Sequence, residues 1–303
     1  MIPASALSEH LPLPPDPASA VTVVPAPGTG IGAWAGSPSA VLAEGEVFLA
    51  YRMRTARDRG YAVEIARSAD GVRFESIITI GKGEMGAESL ERPALCVGPD
   101  GSWRLYMSCA TPGTKHWRVE VIEAAAPDGF DPRTSQVLLP GDAANAVKDP
   151  FILRHDGSWH LWASVHPLAE PDHTDRMTTE YATSPDGLDW TWQGTALAPR
   201  PGEWDARGAR VASVRAEAGG FTAYYDGRAT AAQNCEERTG VAFGMLPGVL
   251  SALGDAPVAE SPAPGRGLRY LTSVVLGDGR ERIYYELTNA NGSHDLVTEL
   301  RVA

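Results

Sequence analysis

Hydrophobic and polar positions alternate along this chain in short runs that are interrupted by glycine turns. The run SPSAVLAEGEVFLAYR begins at Ser37, RPALCVGPDGSWRLYM begins at Arg92, and DPFILRHDGSWHLWAS begins at Asp149. Each has a proline near its start, an apolar segment, a turn glycine and a second alternating segment. Alternation with a period of two is typical of β-strands, and a glycine turn between two such runs indicates a hairpin. We therefore expect antiparallel strand pairs.

The hairpins recur at a nearly constant interval. Their turn glycines stand at positions 45, 101 and 157, which are 56 residues apart each time, and a later set of Asp-Gly turns repeats every 58 residues. Looser copies begin at Arg210 and Tyr270. The chain thus contains five units of about 60 residues, built on a pattern of four predicted strands.

Five four-stranded antiparallel units in series predict an all-β fold, a five-bladed β-propeller. The fifth unit ends after its third strand, and the apolar run at 21–24 is predicted to add the fourth strand and close the ring. Two β-sandwich domains are the alternative, but the regular repeat favours the propeller. We expect residues 1–20 to be a flexible lead-in to one propeller domain, residues 21–303.

Composition narrows the classes of partner. The net charge of −12 and the pI near 5.0 disfavour nucleic acid and anionic membranes. No apolar run approaches the roughly 20 residues of a membrane helix, and the first residues do not resemble a signal peptide. The three cysteines have no CxxC spacing, and the histidines lack metal-ligand spacing. We therefore predict a cytoplasmic protein with no cofactor and no metal.

Candidate site residues stand where strand ends would face the propeller channel. The starts of first and third strands share one face of a blade with the ends of second strands. Polar side chains recur there, and unpartnered charges are costly to bury, so the set favours a ligand site. For each residue alone, an ion pair or a backbone contact is an equal alternative. The set is Ser37, Arg52, Glu91, Arg92, Lys148, Asp149, His166, Arg210, Asp226, Arg228, Glu237 and Tyr270.

The charges of this set predict a locally positive pocket mouth. Among the five aligned first-strand positions, Asp149 alone is a carboxylate, whereas Arg92 and Arg210 are cationic. Arginine forks suit carboxylate or phosphate groups. Three tryptophans in predicted loops are candidates for a stacking floor under a sugar ring: Trp34, Trp117 and Trp204.

The sequence resembles the five-bladed propeller glycosidases, which include glycoside hydrolase families 43, 32 and 68 and the mannoside phosphorylases of family 130. The likeness covers residues 34–303 as a blade pattern. Lys148-Asp149-Pro150 looks like the R/I-D-P strand of those families, and Glu91-Arg92-Pro93 is similar to their E-D-P-R or E-R-P strands. Tyr225-Asp226-Gly227-Arg228 is similar to the Y-H-G segment of family 130.

The resemblance implies action on a glycosidic bond, with Asp149 stabilising the transition state or adjusting the pKa of the acid. This chain departs from family 43, which has a base Asp where Ser37 stands and an acid Glu where Arg210 stands. A glycosidase normally needs two carboxyl groups. Glu91 ranks first as the second one, and the remaining candidates are Asp226, Glu236 and Glu237.

We therefore predict a glycoside hydrolase or phosphorylase-like protein with a channel site for a sugar or an anionic sugar-like ligand. The predicted catalytic residues are Asp149, Glu91 and Asp226. In a phosphorylase, phosphate replaces the base and attacks the sugar directly. The alternative is a catalytically degenerate ligand-binding propeller, or an enzyme of small-molecule biosynthesis that reuses the same pocket.

Overall fold

The computed structural model describes residues 12–301, and its elements begin with a short strand and a four-stranded meander. The glycine turns predicted from the sequence separate the meander strands. Tight hairpins need left-handed φ angles, which glycine adopts readily, as at Gly45 (+81°). The first strands are β1 (Val21–Val24), β2 (Trp34–Ala43), β3 (Glu46–Arg54), β4 (Ala62–Ser68) and β5 (Glu75–Gly81).

Three further meanders follow, and each forms an antiparallel sheet of four strands. The first consists of β6 (Leu90–Val97), β7 (Trp103–Ala110), β8 (Trp117–Ala124) and β9 (Gln136–Leu139). The second consists of β10 (Asn145–His155), β11 (Ser158–Pro167), β12 (Thr178–Ser184) and β13 (Thr191–Leu197). The third consists of β14 (Gly208–Glu217), β15 (Gly220–Arg228), β16 (Arg238–Leu246) and β17 (Val249–Leu253). Short 3₁₀ turns span Pro132–Thr134, Pro171–His173 and Ala231–Gln233.

The first strand of the chain, β1, joins the sheet of the last three strands and completes the fifth sequence unit. These three strands are β18 (Leu268–Val275), β19 (Glu281–Thr288) and β20 (His294–Arg301). Strand β1 pairs antiparallel with β20, with Val21 opposite Thr298, so the apolar run at 21–24 adds the fourth strand to this unit. A single parallel pair, Trp34 with His294, connects β20 to β2 and merges these strands with β2–β5 into one eight-stranded sheet.

The predicted all-β class and its four-stranded antiparallel sheets are confirmed. The first strands of the sequence units contact one another in order: β2 with β6, β6 with β10, β10 with β14, β14 with β18, and β18 with β2. Hydrophobic clusters fill the spaces between successive sheets, for example Phe48 with Trp103 and Trp162 with Tyr225. Large buried side chains of this kind stabilise a fold by about 1.5–3 kcal/mol each.

Each first strand contains a β-bulge near its start. The register shifts lie between Gly36 and Ser39, Glu91 and Pro93, Lys148 and Phe151, Val211 and Ser213, and Arg269 and Thr272. Three bulge residues have left-handed φ angles: Ser37 (+54°), Asp149 (+56°) and Tyr270 (+58°). That conformation is costly for residues other than glycine, and bulges redirect side chains next to functional sites. The bulges therefore determine which polar groups face the site described below.

The segment before β1 contacts the last sheets. The Tyr224 hydroxyl donates to the Leu13 carbonyl at 2.8 Å, and the Asp16 N–H donates to Glu299 Oε1 at 3.0 Å. Residues 1–11 of the predicted lead-in lie outside the described residues. Between residues 12 and 301, no helix has the length and apolar character that a membrane crossing requires.

Candidate functional site

A cavity of about 400 Å³, here called the polar pocket, opens where the starts of first strands meet the ends of second strands. This is the face on which the sequence predicted a site. Seven of the twelve predicted residues line the cavity: Glu91, Lys148, His166, Arg210, Arg228, Glu237 and Tyr270. The other five lie behind its surface: Ser37, Arg52, Arg92, Asp149 and Asp226.

Asp149 is a fixed buried charge. It is fully buried in the β10 bulge, and its Oδ2 lies 3.1 Å from Arg210 Nη1 and 3.4 Å from Lys148 Nζ. Its N–H donates to Ser108 Oγ at 2.8 Å, whereas Oδ1 accepts no hydrogen bond from the described residues. Burial alone would raise the pKa of Asp149, but Lys148 and Arg210 hold that pKa at about 2. Asp149 is therefore ionised at neutral pH and has no proton to donate.

Asp226 shares the guanidinium that binds Asp149. Arg210 Nε and Nη2 donate to Asp226 Oδ2 at 3.0 and 2.7 Å, and the Tyr270 N–H donates to both carboxylate oxygens. Burial raises the pKa of Asp226, while Arg210 acts in the opposite direction. The third donor group of Arg210, Nη1, also lies 2.9 Å from the Tyr270 hydroxyl. Arg210 thus joins three sequence units through buried contacts.

A second ionic network lies on the neighbouring side. Glu237 accepts from Arg228 and, at 2.8 Å, from Arg269. Arg269 also donates to Glu286 at 2.6 Å, and Glu286 in turn accepts from Arg52 at 2.8 Å. These arginines hold the pKa values of Glu237 and Glu286 below the usual range against the opposing effect of burial.

Glu91 is the one residue of the predicted catalytic three that lines the polar pocket. Its carboxylate lies 3.2 Å from Arg52 Nε and 3.9 Å from Arg54 Nη1, and 8% of its side chain is exposed. Arg52 is fully buried behind it and also donates to Ser37 Oγ at 3.1 Å. The β6 bulge therefore presents Glu91 to the cavity with arginines behind and beside it.

Arg92 crosses from β6 to β14. Its guanidinium donates to the Val211 carbonyl at 3.3 Å and to the Ala212 carbonyl. Burial lowers its pKa to about 10, so it remains charged at neutral pH. Along β14 the polar pocket ends at Arg210, and a second cavity of about 440 Å³ begins at Ser213. Along β14, the contacts of Arg92 therefore lie between the linings of the two cavities.

His166 is a neutral hydrogen-bond acceptor in the pocket lining. Its Nδ1 lies 3.2 Å from the Thr174 carbonyl, so Nδ1 carries the proton and Nε2 keeps its lone pair. Burial, aided by Lys148, lowers the His166 pKa to about 3. Nε2 is buried and has no hydrogen-bond partner among residues 12–301. A ligand hydroxyl is a group that could donate a hydrogen bond to His166 Nε2.

The three candidate tryptophans have different surroundings. Trp34 lines the pocket, but its ring stacks on His294 at 4.7 Å and has the Arg54 guanidinium 4.1 Å from its centroid. Trp117 also lines the pocket, with Lys148 Nζ 4.9 Å from its ring centre. Trp204 stacks on Tyr225 instead and is not part of the lining. Trp117 is therefore the aromatic wall best placed for a ligand.

The pocket lining carries an excess of positive charge. Its cations are Arg54, Arg59, Lys115, Lys148, Arg210, Arg228 and Arg269. Its carboxylates are Glu88, Glu91, Asp175 and Glu237. In a chain of net charge −12, this local excess favours an anionic group in the ligand. Within the described residues, no three His, Cys, Asp or Glu side chains are grouped as metal ligands.

No family model and no curated protein matches this sequence. Solved structures do match over nearly the whole chain. A thermostable family-43 glycoside hydrolase has a TM-score of 0.67 and 15% identity, with 92% of this chain and 91% of that chain covered. An α-L-arabinofuranosidase from Lactobacillus brevis has a TM-score of 0.66 and 16% identity, with 88% and 90% covered.

A third match is a β-1,2-mannobiose phosphorylase from Listeria innocua in complex with β-1,2-mannobiose. Its TM-score is 0.65 and its identity 15%, with 90% of each chain covered. The fold is similar to that of these two glycosidases and of the phosphorylase. The resemblance seen in the sequence is thereby confirmed as a likeness of fold, since identities this low establish nothing further.

Sequence reasoning missed several groups around the polar pocket. His294 joins the ionic network, because its Nδ1 lies 2.6 Å from Glu286 and its Nε2 lies 3.1 Å from Glu236. It stands at the start of β20, a position that the strand-end argument did not consider. The loop residues Arg59 and Lys115 were also missed, because no hydrophobic pattern indicates where a loop side chain points.

Proposed function

We propose that residues 21–303 form a single five-bladed propeller. The proposed blades are β2–β5, β6–β9, β10–β13, β14–β17, and β18–β20 completed by β1. The order of contacts among the five first strands, and the pairing of β1 with β20, support this count. The polar pocket then lies at one end of the central channel, on the first strands of the blades. The predicted reducing, cytoplasmic setting stays a prediction, in keeping with three free cysteines.

We propose that the polar pocket binds a saccharide and that the protein is an enzyme of the glycoside hydrolase or phosphorylase type. The observation that carries this proposal is the presence of Glu91 on the wall of a cation-rich pocket in this fold. Trp117 offers an aromatic surface for a sugar ring, and His166 offers an acceptor for a sugar hydroxyl. The solved relatives named above are a glycoside hydrolase, an arabinofuranosidase and a mannobiose phosphorylase.

Phosphorolysis is the reaction that these residues favour. Hydrolysis normally uses two carboxyl groups that flank the scissile bond, whereas one acid suffices when phosphate is the nucleophile. In this proposal Glu91 takes a proton from the incoming phosphate and passes it to the leaving glycosidic oxygen as the bond from that oxygen to the anomeric carbon breaks. A phosphate oxygen, held by Lys148 and Arg54, forms the new bond to that carbon. Glu91 returns to the carboxylate form that pairs with Arg52, and Asp149 supplies fixed negative charge behind the site.

Ligand binding without turnover is the second candidate. One observation favours it: Arg210 holds both Asp149 and Asp226 behind the pocket surface, which leaves Glu91 as the predicted catalytic carboxylate on the wall. A small-molecule biosynthetic enzyme that reuses the pocket would share this arrangement. The two candidates differ in whether a bound glycoside is consumed.

Thiol protection tests the site and turnover tests the reaction. Cys235 lines the polar pocket, Cys96 lines the cavity at the other end, and Cys109 is fully buried. A panel of disaccharides, with and without phosphate, is assayed for slower alkylation of Cys235 by iodoacetamide. We expect protection of Cys235 but not of Cys96, and consumption of the protecting sugar. Protection without consumption supports the binding candidate, and no protection by any saccharide contradicts a sugar site.

A further inference from the structure

Two cations at the pocket mouth have no ion-pair or side-chain hydrogen-bond partner among residues 12–301. Arg59 lies in the loop between β3 and β4, and Lys115 lies in the loop between β7 and β8. Both are exposed and line the polar pocket, yet neither makes an ion pair or a side-chain hydrogen bond with any residue of the described range. The chain has 38 Asp and Glu residues and 26 Lys and Arg residues, so there are more carboxylates than cations to pair with.

Carboxylates close to these two residues are already engaged. Asp58, next to Arg59 in sequence, pairs with Lys82 at 2.5 Å. Glu88, which also lines the pocket, accepts from the Gly113 N–H at 2.9 Å. Neither carboxylate forms an ion pair with Arg59 or Lys115, and the single negative charge of Glu88 is smaller than the combined charge of these two cations.

The deeper cations are in the opposite situation. Arg210, Arg228 and Arg269 each bind at least one buried carboxylate, so their charge is balanced within the protein. Arg54 lies between the mouth cations and the deeper ones. Burial lowers its pKa, and the positive charges of Arg52 and Arg59 lower it further, whereas the negative charge of Glu91 acts in the opposite direction. The arginines on this side therefore repel one another. Unbalanced positive charge is thus concentrated at the mouth, on the loops of the first two units.

We propose that the ligand carries an anionic group, a sugar carboxylate or a phosphate ester, at its solvent-facing end, and that Arg59 and Lys115 bind it. The inference rests on the proposed saccharide site and names its substrate class, an acidic sugar. A guanidinium and an ammonium that reach one pocket from two loops can bind different oxygens of the same carboxylate or phosphate. This anion is part of the sugar substrate and is distinct from the phosphate nucleophile near Lys148.

Calorimetric titration of the full chain tests the proposal with four probes: D-glucose, D-glucuronate, glucose 6-phosphate and inorganic phosphate. Arg59→Gln and Lys115→Gln each remove one mouth cation. Arg57→Gln is the matched control, because Arg57 is exposed in the same loop but does not line the pocket. We expect an acidic sugar to bind about tenfold more tightly than glucose, and each mouth variant to reduce that preference by about threefold. Arg57→Gln should leave it unchanged.

The outcomes separate this inference from the proposed function. Equal affinity for glucose and both acidic sugars overturns the anion inference while the saccharide site stands. Binding of inorganic phosphate that depends on Arg59 and Lys115, with no binding of any sugar, overturns the acidic-sugar inference and the saccharide site, leaving a site for a free anion. Preference for an acidic sugar that Arg59→Gln and Arg57→Gln reduce equally also contradicts the assignment to these residues. If none of the probes binds, both proposals fail.

Discussion

Arg210 Nη1 lies 3.1 Å from Asp149 Oδ2, and the same guanidinium donates to Asp226 through Nε and Nη2. One arginine therefore binds two carboxylates that the sequence singled out as catalytic, and Lys148 adds a second positive charge beside Asp149. All three side chains are almost completely buried. Removal of one member of such a network leaves a buried charge without its partner, which is among the most destabilising changes known for single residues.

Arg210→Gln should lower the free energy of unfolding by about 3–5 kcal/mol, since Asp149 and Asp226 would both lose a buried partner. Urea denaturation followed by tryptophan fluorescence measures the change. The control is Arg215→Gln on the same strand, where a half-exposed arginine pairs with Glu217 and the expected loss is about 0.2–1 kcal/mol. Similar losses in the two variants would contradict a bridging role for Arg210.

Glu91→Gln should reduce turnover of any protecting glycoside by about 10²–10⁴-fold while leaving the fold intact, because the variant cannot transfer a proton. Initial rates, with circular dichroism as the check on folding, measure the effect. Glu88→Gln is the matched control, since Glu88 lines the same pocket but is exposed and accepts from a backbone N–H. Equal activity of wild type and Glu91→Gln would remove Glu91 from the mechanism.

Arg92→Met should destabilise the fold by about 2–4 kcal/mol, because the carbonyls of Val211 and Ala212 would each lose a buried donor. Ligand affinity should change by less than about threefold, since Arg92 lies behind the pocket surface. Denaturation and calorimetric titration of the same variant report the two quantities. Full stability combined with lost binding would return Arg92 to the list of ligand contacts.

His166 should make the protein less stable as the pH falls. Its pKa of about 3 in the folded state lies below the ordinary value near 6.5 in the unfolded chain. Between these pH values the unfolded state binds one more proton, so folding loses about 1.4 kcal/mol per pH unit from this group as the pH falls. His166→Gln should flatten the curve of unfolding free energy between pH 6.5 and about 4 relative to wild type. Parallel curves for the two proteins would contradict a buried neutral His166.

The repeat in the sequence was enough to predict the strands and the pairing of Val21–Val24 with the last strand. Alternating hydrophobicity and glycine turns are local signals, and they fix the hairpins. Which polar side chain reaches the pocket is decided by bulges that insert one residue and reverse the side-chain direction. The left-handed φ angles of Asp149 and Tyr270 are part of those bulges, and no hydrophobic pattern encodes them.

The sequence also did not show which groups the buried arginines would contact. Aligned positions indicated that Arg92 and Arg210 would share one environment. In the fold Arg92 reaches the carbonyls of β14, whereas Arg210 holds two carboxylates. The contacts of Arg92 with Val211 and of Arg210 with Asp149 join residues 119 and 61 positions apart in the chain, so they depend on how neighbouring units pack. The positive pocket mouth was predicted, but two of its members, Arg59 and Lys115, lie in loops without a repeating pattern.

A crystal structure with the saccharide that protects Cys235 tests the central claim most directly. We predict the sugar in the polar pocket, with its glycosidic oxygen within hydrogen-bond distance of Glu91 and one hydroxyl donating to His166 Nε2. Its solvent-facing end should carry an anionic group between Arg59 and Lys115. A saccharide bound in the cavity beyond Arg92, or one bound in the polar pocket with Glu91 still contacting only Arg52 and Arg54, would contradict the proposed site.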